Sequence, residues 1–549
     1  MALPQKKAPA TDLSDKYGLL IDDIASMRTT VRIQLASVRL ERCDQARNIK
    51  EAIDRLTNKH YDLIVCDYNL GDGADGQQFL ELVRRKQLLP LSTAFLMITG
   101  ETAYQQVSTA AEYSPDDYLL KPFTADTLGT RLLRIIEKKE ALKPIYQYMG
   151  AKGGDKIKAL AACEVLLAQK TRYNLEVLRI KGDLLLASGR ATDALALYEE
   201  ILGQRSTPWA EVGKALALTA IGDPDEARFL LEQTLVAYPN YLAAYDSLAE
   251  LLVKTDKVAA QQVVEQALKV ASTTQRQREL GSLALDNKDY SRAEDAFRVA
   301  VDRDRSGFFN SHDDYAGLAK SYVEQDKISE AMATVKDMGQ RFKVSPELAG
   351  RQAALECQVH ARAGNAEAAQ AALTKALALQ QQGGLDATTA LEIAQACFAS
   401  GQPEEAKKII QAIAEDHQEN EKILARAHAV FEAAGLEEEG TLFLEATRKS
   451  MIRMNNEAVA LAKSNELDKA IIMLVEAADR LPNNAQVAVN AAQAILMRIQ
   501  TKGMDMGQIS QAHRYITQAI RANPQHPKLE GVVAFYRKLA PPGARPIEG

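Results

Sequence analysis

Two adjacent aspartates, Asp22 and Asp23, directly follow an apolar run, and side-by-side carboxylates repel one another. Asp67, Thr99 and Lys121 each follow a short apolar segment in the same way. Three carboxylates held together need a hard cation between them, and oxygen ligands of this kind suit Mg²⁺ or Mn²⁺. A hydroxyl and a lysine beside such an ion would bind anionic oxygens. These residue types therefore indicate a carboxylate that accepts a phosphoryl group.

Short apolar strands that alternate with helical patterns would have to position these residues. Such alternation predicts crossover units and a doubly wound parallel sheet. In sheets of this kind a site forms at the carboxyl ends of the strands, which is where the polar residues lie. The expected strands are residues 17–21, 61–66, 94–98 and 117–120, and the expected amphipathic helices include 46–58 and 76–86.

Each of these residues also has a structural interpretation when it is taken alone. Asp23 or Ser26 could cap the helix that follows the first strand. Thr99 alone would more often be structural, and Lys121 alone would be a solvated lysine. Their joint occurrence, one after each strand, favours the phosphoryl-accepting site.

Four motifs in order carry a family resemblance: "LLIDD", "LIVCDYNLGDGADG", "MITGE" and "DDYLLKPF". Residues 17–139 resemble a response-regulator receiver domain, which implies a flavodoxin-like α/β fold with five strands. The chain departs from the family at Gly71, where proline is common, and its loop before Gly76 is slightly longer than usual. Ser114–Pro115 replaces a common Gly-Ala pair ahead of the last strand.

The resemblance assigns the acidic residues to phosphoryl chemistry. It implies that Asp67 is the phosphoacceptor and that Asp22 and Asp23 bind Mg²⁺ (or Mn²⁺) together with it. The backbone carbonyl of Asn69 would be a further metal ligand. No other cofactor is expected.

The same resemblance assigns the remaining site residues to catalysis and switching. Lys121 would contact the phosphoryl oxygens and precede a cis Pro122. Thr99 would move to bond the phosphoryl group, and Tyr118 would change its rotamer to follow it.

Beyond residue 150 strand signals are absent and a repeat near 34 residues long appears. Its units share an alanine, and most have a second small residue twelve positions earlier. Small residues at two fixed sites allow paired helices to approach closely, as in helical solenoids. The repeats resemble tetratricopeptide (TPR) repeats, with a HEAT-like array as the alternative. The alanines are Ala194, Ala227, Ala293, Ala331, Ala369, Ala406, Ala470 and Ala512, and the earlier residues are Gly182, Ala215, Gly281, Ala319, Cys357, Ala394 and Ala458.

The expected organisation is therefore a receiver followed by an all-α TPR solenoid of about nine or ten repeats. A solenoid of this kind implies a groove that binds a protein or peptide. In the first clear repeat, Asp183 beside Arg179 would repel a carboxylate, so a carboxylate clamp is not expected there. The predicted segments are a flexible tail (1–16), the receiver (17–139), a helical linker or partial repeat (140–173), the solenoid (174–535) and a second flexible tail (536–549).

Composition excludes several other classes of protein. The 549 residues carry a net charge of −6 and no basic recognition helix, which argues against DNA as a partner. Five scattered cysteines lack metal-ligand spacing and are typical of a reduced, cytoplasmic protein. No apolar run reaches the length of a membrane span.

The resulting hypothesis is a response regulator of a bacterial two-component system. A histidine kinase or a phosphotransfer protein would phosphorylate Asp67 and so modulate protein binding by the solenoid. The alternative is a constitutive TPR scaffold whose receiver is a docking module or phosphate reservoir. An enzyme acting on a separate substrate is not expected, because the chemistry would take place on Asp67 itself. A homodimer stays open.

Overall fold

The computed structural model describes residues 12–71, 75–100, 114–150, 154–303, 311–464 and 466–541, together with 545 and 547. The chain divides into two compact units, Met1–Gly317 and Leu318–Gly549. The first unit holds the parallel sheet and the first part of the helical region, and the second unit is helical throughout its described residues.

A five-stranded parallel sheet with strand order β2-β1-β3-β4-β5 confirms the predicted receiver fold. The resemblance implied five strands, but the position of β2 was not predicted, because its sequence "RCDQA" has no apolar run and its side chains are mostly half-buried or exposed. It lies at the edge of the sheet, where burial is incomplete. The strands are β1 (Tyr17–Ile21), β2 (Arg42–Ala46), β3 (Leu63–Asp67), β4 (Ala94–Thr99) and β5 (Asp117–Leu120).

Helices cover both faces of this sheet. Alternate residues of the central strands enter two separate cores, with Ile64 in one and Val65 in the other, as the period of two in a strand requires. The helices α2 and α3 begin at side-chain caps, Asn48 and Asp75. The helices of this part are α1 (Ala25–Ser37), α2 (Ile49–Asn58), α3 (Gly76–Arg85) and α4 (Ala125–Tyr146).

Residues 12–16, which the sequence placed in a flexible tail, pack against the receiver. Leu13 is buried, and its backbone N–H donates to the carbonyl of Val38 at 3.2 Å. Lys16 forms an ion pair with Glu140 of α4 at 2.9 Å. These residues therefore belong structurally with the sheet.

Helices follow one another from residue 156 onward, as predicted. In the first unit they are α5 (Lys156–Ala168), α6 (Asn174–Ala187), α7 (Ala191–Gln204), α8 (Pro208–Ile221), α9 (Pro224–Ala237), α10 (Leu242–Leu252), α11 (Lys257–Val270), α12 (Thr274–Asp286) and α13 (Tyr290–Arg303). Helix α14 (His312–Glu324) crosses the boundary. The second unit continues with α15 (Ile328–Arg341), α16 (Pro346–Arg362), α17 (Ala366–Gln382), α18 (Ala387–Ala399), α19 (Pro403–Asp416), α20 (Glu421–Ala433), α21 (Glu437–Lys463), α22 (Leu467–Arg480), α23 (Ala485–Lys502), α24 (Met506–Ala522) and α25 (Leu529–Leu539).

All eight repeat alanines are buried, and so are the seven small residues twelve positions before them. The reason is visible at Gly182 and Gly213, where an added methyl group would overlap the ring of Tyr198. Small residues thus let a large aromatic ring lie directly against the neighbouring helices. This packing supports the repeat pattern that the spacing predicted.

Helix α21 is one continuous helix of 27 residues where two shorter repeat helices would be expected. Its first half contacts α20, and Ala458 in its second half is in the same core as residues of α22 and α23. Further on, α25 extends to Leu539 and Tyr536 donates to the carbonyl of Arg545 at 3.0 Å. The predicted tail 536–549 therefore begins inside a helix.

No helix in the described ranges has the length and apolar character needed to cross a bilayer.

Candidate functional site

The carboxyl ends of four neighbouring strands, β1, β3, β4 and β5, bring the predicted residues to one edge of the sheet. Asp22 follows β1, Asp67 is the last residue of β3, and Thr99 is the last residue of β4. Asp67 pairs in register with Ile98, and Thr99 pairs with Leu120, directly before Lys121. The local sequences are buried strands, so each polar residue stands where its strand leaves the core.

The three carboxylates form a compact cluster. One oxygen from each of Asp22, Asp23 and Asp67 can be chosen so that all lie within 4.8 Å of one another. Asp22 and Asp67 are buried, whereas Asp23 is exposed. Burial raises the pKa of both Asp22 and Asp67, and the neighbouring carboxylates raise it further. A divalent cation with oxygen ligands fits this set, because it would offset the repulsion that burial strengthens.

Lys121 brings a positive charge to the acidic cluster. Its Nζ lies 2.9 Å from each carboxylate oxygen of Asp67. The backbone N–H of Lys121 donates to the carbonyl of Thr99 at 2.8 Å, which fixes where the side chain starts. The Lys121–Pro122 peptide bond is cis, as predicted. The ammonium group lowers the pKa of Asp67 and so opposes the effect of burial.

Thr99 ends β4 and Tyr118 lies within β5, and the two side chains have different environments. The Thr99 hydroxyl is buried and donates to the carbonyl of Gly100 at 3.2 Å. Tyr118 is half-buried, and its ring packs against the core that contains Ile64 and Phe95. The structure therefore places both residues beside the strands that carry Asp67 and Lys121.

The backbone of Gly71 explains why this chain lacks the proline that is common in the family at this position. Gly71 has a φ of +66°, which proline cannot adopt because its ring holds φ near −65°. Its N–H donates to Oδ1 of Asn69 at 3.3 Å, and Asn69 pairs with Asp75 in an isolated bridge. A methyl group at Gly71 would also come within 3.0 Å of Asp23. Gly71 therefore has a left-handed backbone conformation beside the acidic cluster.

Asp75 and Gly76 belong to the site, although the sequence reasoning did not single them out. A side chain at Gly76 would overlap the backbone oxygen of Asp67 and approach Met97 Sδ at 2.9 Å. Asp75 and Gln78 form a reciprocal capping box at the start of α3. The pattern Asp-x-x-Gln before an apolar run could have revealed it. The alternative in which Asp23 or Ser26 caps α1 is wrong, since the N-cap is Ile24, which makes no side-chain cap bond.

Helix α4 joins the receiver to the helical region of the first unit. Its residues Leu128 and Leu132 lie in a receiver core, whereas Leu142 and Ile145 lie in a core shared with α5, α6 and α7. Such a helix belongs to two hydrophobic cores at once.

Ion pairs of Asp116 and Asp117, at the start of β5, tie this strand to α4. Lys139 is buried, lies 2.8 Å from Asp116, and donates to the carbonyl of Leu91 at 2.9 Å. Burial lowers the pKa of Lys139, and Asp116 partly opposes this. Arg131 donates to Asp117 at 3.0 Å. Sequence reasoning missed Lys139, because a lysine in an amphipathic helix ordinarily faces solvent.

Comparison with known proteins identifies both parts of the chain. Residues 19–133 match the response regulator receiver domain, and residues 257–307 and 360–431 match tetratricopeptide repeats. The chain is 32% identical over 120 residues to the chemotaxis protein CheY-3 of Vibrio cholerae, covering 22% of this chain and 91% of that protein. It is 29% identical over 120 residues to the chemotaxis protein CheY of Pseudomonas aeruginosa, covering 22% of this chain and 95% of that protein.

Among solved structures, a tetratricopeptide repeat protein from Parabacteroides merdae matches 47% of this chain and 97% of its own, with 18% identity and a TM-score of 0.29. The chain belongs to the family of response regulator receiver proteins. Its receiver domain is followed by tetratricopeptide repeats.

Proposed function

We propose that this chain is a phosphorylation-dependent response regulator whose output is protein binding by the TPR solenoid. Asp67 accepts a phosphoryl group from a histidine kinase or a phosphotransfer protein. The observation that carries this proposal is the cluster of Asp22, Asp23 and Asp67 with Lys121 Nζ 2.9 Å from Asp67. An acidic cluster with two buried members has no evident structural use, because burial and mutual repulsion both disfavour its charge.

The chemistry is a single transfer to a carboxylate oxygen. An oxygen of Asp67 attacks the phosphorus of a phosphohistidine, the P–N bond breaks, and the imidazole nitrogen keeps the electron pair. The product is an acyl phosphate on Asp67. Asp22, Asp23, Asp67 and the backbone carbonyl of Asn69 would hold Mg²⁺ or Mn²⁺, which supplies positive charge for the phosphoryl oxygens when bound.

Residues of the chain itself hold the phosphoryl group after transfer. Lys121 leaves its pairing with the free carboxylate and binds a phosphoryl oxygen instead. Thr99 turns its hydroxyl from the Gly100 carbonyl to the phosphoryl group, and Tyr118 follows by changing its rotamer. These movements alter β4 and β5 at the point where Asp116 and Asp117 contact α4.

The transmission route is helix α4, because it is shared between the receiver and the helical cores. A change of tenfold in partner affinity needs only about 1.4 kcal/mol of coupling between phosphorylation and the solenoid. Rearranging a few ion pairs along one helix is sufficient for an effect of that size. The partner is a protein or peptide in the solenoid groove, and phosphorylation either recruits it or releases it.

The test is phosphoryl uptake by the full chain, followed by intact-protein mass spectrometry with acetyl phosphate and MgCl₂. The wild type is expected to gain one phosphoryl group, and Asp67→Asn none. Asp54→Asn, which removes an exposed carboxylate on α2, is the matched control and should behave as the wild type. Equal uptake by Asp67→Asn and wild type would overturn the site assignment.

A constitutive scaffold makes a different prediction from the same sample. In that case phosphorylation takes place but leaves the helical region unchanged. Small-angle scattering and sedimentation of phosphorylated and unphosphorylated chain separate the two functions, and they also report whether the chain self-associates.

A further inference from the structure

The turn between β1 and α1 carries two of the three carboxylates of the candidate site. Strand β1 ends at Ile21 and helix α1 begins at Ala25, so only residues 22–24 separate them. Asp22 is buried and Asp23 is exposed, although they are neighbours in the chain. The directions in which the two carboxylates point therefore depend on how this short turn is held.

Three hydrogen bonds from backbone N–H groups fix parts of the turn. The N–H of Asp22 donates to the carbonyl of Ala46 on β2 at 3.2 Å. The N–H of Ile24 donates to Oδ1 of Asp22 at 2.8 Å, which orients that carboxylate. The N–H of Arg28 donates to the carbonyl of Ile24 at 3.0 Å, where α1 starts. These three bonds do not use the backbone carbonyl of Asp22.

The side chain of Arg28 binds that carbonyl. Its Nη1 donates to the backbone oxygen of Asp22 at 2.6 Å, from the fourth residue of α1 back to the end of β1. A hydrogen bond from a charged donor is shorter and stronger than one between neutral groups. Because Arg28 is half-buried, water competes for this bond less than it would at a fully exposed position. The contact therefore closes the turn from its helical side.

The bond to Asp22 accounts for the position of the Arg28 side chain. Within the described residues this side chain forms no ion pair, although three carboxylates lie at the same edge of the sheet. Helix α1 also begins without a side-chain cap, since its N-cap residue is Ile24. The guanidinium group is thus committed to a backbone oxygen of the turn and not to a carboxylate.

We propose that Arg28 is a positioning residue of the metal site. By holding the turn, it keeps one oxygen each of Asp22, Asp23 and Asp67 within 4.8 Å of one another. Metal binding is tighter when the ligands are already in place, because binding then does not have to order them. The inference rests on the proposed function, since it takes these three carboxylates as ligands of Mg²⁺ or Mn²⁺. It does not require transfer of a phosphoryl group.

Charge and position predict opposite results when the guanidinium of Arg28 is removed. A cation beside three carboxylates repels an incoming divalent ion, so its loss should strengthen metal binding if charge alone mattered. Loss of the bond to Asp22 lets the turn adopt other conformations, and metal binding then has to order it. The direction of the change in metal affinity therefore identifies the role of Arg28.

Lys121 supplies the opposite case at the same site. Its Nζ lies 2.9 Å from the carboxylate oxygens of Asp67, so it neutralises the acidic cluster directly. Removing this side chain takes away a cation that competes with the metal for Asp67. Metal binding should therefore become tighter without Lys121 and weaker without Arg28.

The test measures the binding of Mn²⁺ to the unphosphorylated full chain. Free Mn²⁺ gives an electron paramagnetic resonance signal that is lost on binding, so a titration yields the dissociation constant and the number of sites. Asp22→Asn combined with Asp23→Asn defines the Mn²⁺ binding that does not involve the acidic cluster. The wild type is expected to bind one Mn²⁺ more than this double variant.

Single variants then separate position from charge. Arg28→Met should weaken the binding of this Mn²⁺ at least tenfold, which is about 1.4 kcal/mol. Lys121→Met should strengthen it severalfold. Arg32→Met is the matched control, because Arg32 is exposed on the next turn of α1, and its dissociation constant should stay within twofold of the wild type.

Two further measurements separate positioning from a general loss of stability. Without metal, amide hydrogen exchange of Arg28→Met should be faster in a peptide covering residues 19–30 and unchanged in one covering α2. Arg28→Lys keeps the charge but lacks the guanidinium group, and it should bind Mn²⁺ severalfold more weakly than the wild type. This milder variant gives the same comparison if Arg28→Met does not fold.

Unchanged or tighter Mn²⁺ binding in Arg28→Met would overturn the inference and leave the metal site intact. A wild type that binds no more Mn²⁺ than the double variant would overturn the metal site of the proposed function, and this inference with it. The same titrations therefore distinguish the two failures.

Discussion

The receiver site and the row of carboxamides on α21 and α23 in the second unit are both made of polar side chains, but they hold their polar groups in opposite ways. At the receiver site three carboxylates meet one lysine, so the charges do not balance within the fold. In the amide row, Gln486 donates to Asn490, which donates to Asn455, and none of the three side chains is charged. The two sites should therefore respond differently to metal and to changes of charge.

The largest expected difference is the response to Mg²⁺. Millimolar MgCl₂ should raise the thermal midpoint of the wild type, because a ligand that binds only the folded state stabilises it by about 2.7 kcal/mol at one hundred times its dissociation constant. Asp22→Asn combined with Asp23→Asn should remove this response and Mg²⁺-dependent phosphorylation together. Without metal, the same pair should be at least as stable as the wild type, because repulsion is relieved. A full Mg²⁺ response in the double variant would break the contrast between the two sites.

The loss of the buried Lys139 should have an effect of about the same size. Lys139→Met should destabilise the chain by about 3 kcal/mol, since removing one partner leaves Asp116 without its ion pair. Urea unfolding followed by circular dichroism measures the change. Adding Asp116→Asn should recover part of the loss, and the exposed Lys143→Met should cost far less. If Lys139→Met costs no more than Lys143→Met, the link between β5 and α4 is weaker than described.

A smaller effect is expected at Gly76, where the receiver site has no room for a methyl group. Gly76→Ala should cost about 2 kcal/mol through overpacking and should slow phosphoryl uptake, because the methyl would press on the backbone of Asp67. Gly203→Ala on α7 is the control, since nothing lies near its added carbon; it should be neutral or stabilising. Unfolding midpoints and uptake rates of both variants give the comparison.

The smallest effect is expected at Asn484, the residue that caps the start of α23. Asn484→Ala should cost about 1–2 kcal/mol, because Asn484 caps α23 and also bonds the carbonyl of Glu415. Asn420→Ala removes a cap alone and should cost less. Neither variant should change phosphoryl uptake at Asp67. An altered rate of phosphoryl uptake in Asn484→Ala would show that the start of α23 affects the chemistry at Asp67.

The receiver site was predictable because strand topology fixes where its residues go. Parallel strands end at the same edge of the sheet, so Asp67 and Lys121 meet although 54 residues separate them. Strand β2 was missed, since an edge strand without apolar residues has no periodic signal. Lys139 was missed because its burial depends on Asp116 and Leu91, which are remote in sequence.

The helical repeat of the solenoid could be predicted from the sequence, but the polar contacts between its helices could not. Buried alanines such as Ala194 and Ala227 follow directly from the spacing, since each repeat packs on the next. The contact between Asn455 and Asn490 depends on which faces of α21 and α23 pack together. Helix α21 is a single long helix where the repeat would have two shorter ones. Asn455 and Asn490 therefore lie in contact without any local pattern that announces it.

Hydrogen exchange measured by mass spectrometry on the phosphorylated full chain shows whether α4 transmits the effect of phosphorylation. We expect acetyl phosphate with MgCl₂ to change amide exchange in β5 and along α4 as far as Ile145, and we expect no such change in Asp67→Asn. If the wild-type chain carries the phosphoryl group on Asp67 yet exchanges identically along α4 with and without it, α4 does not transmit the signal.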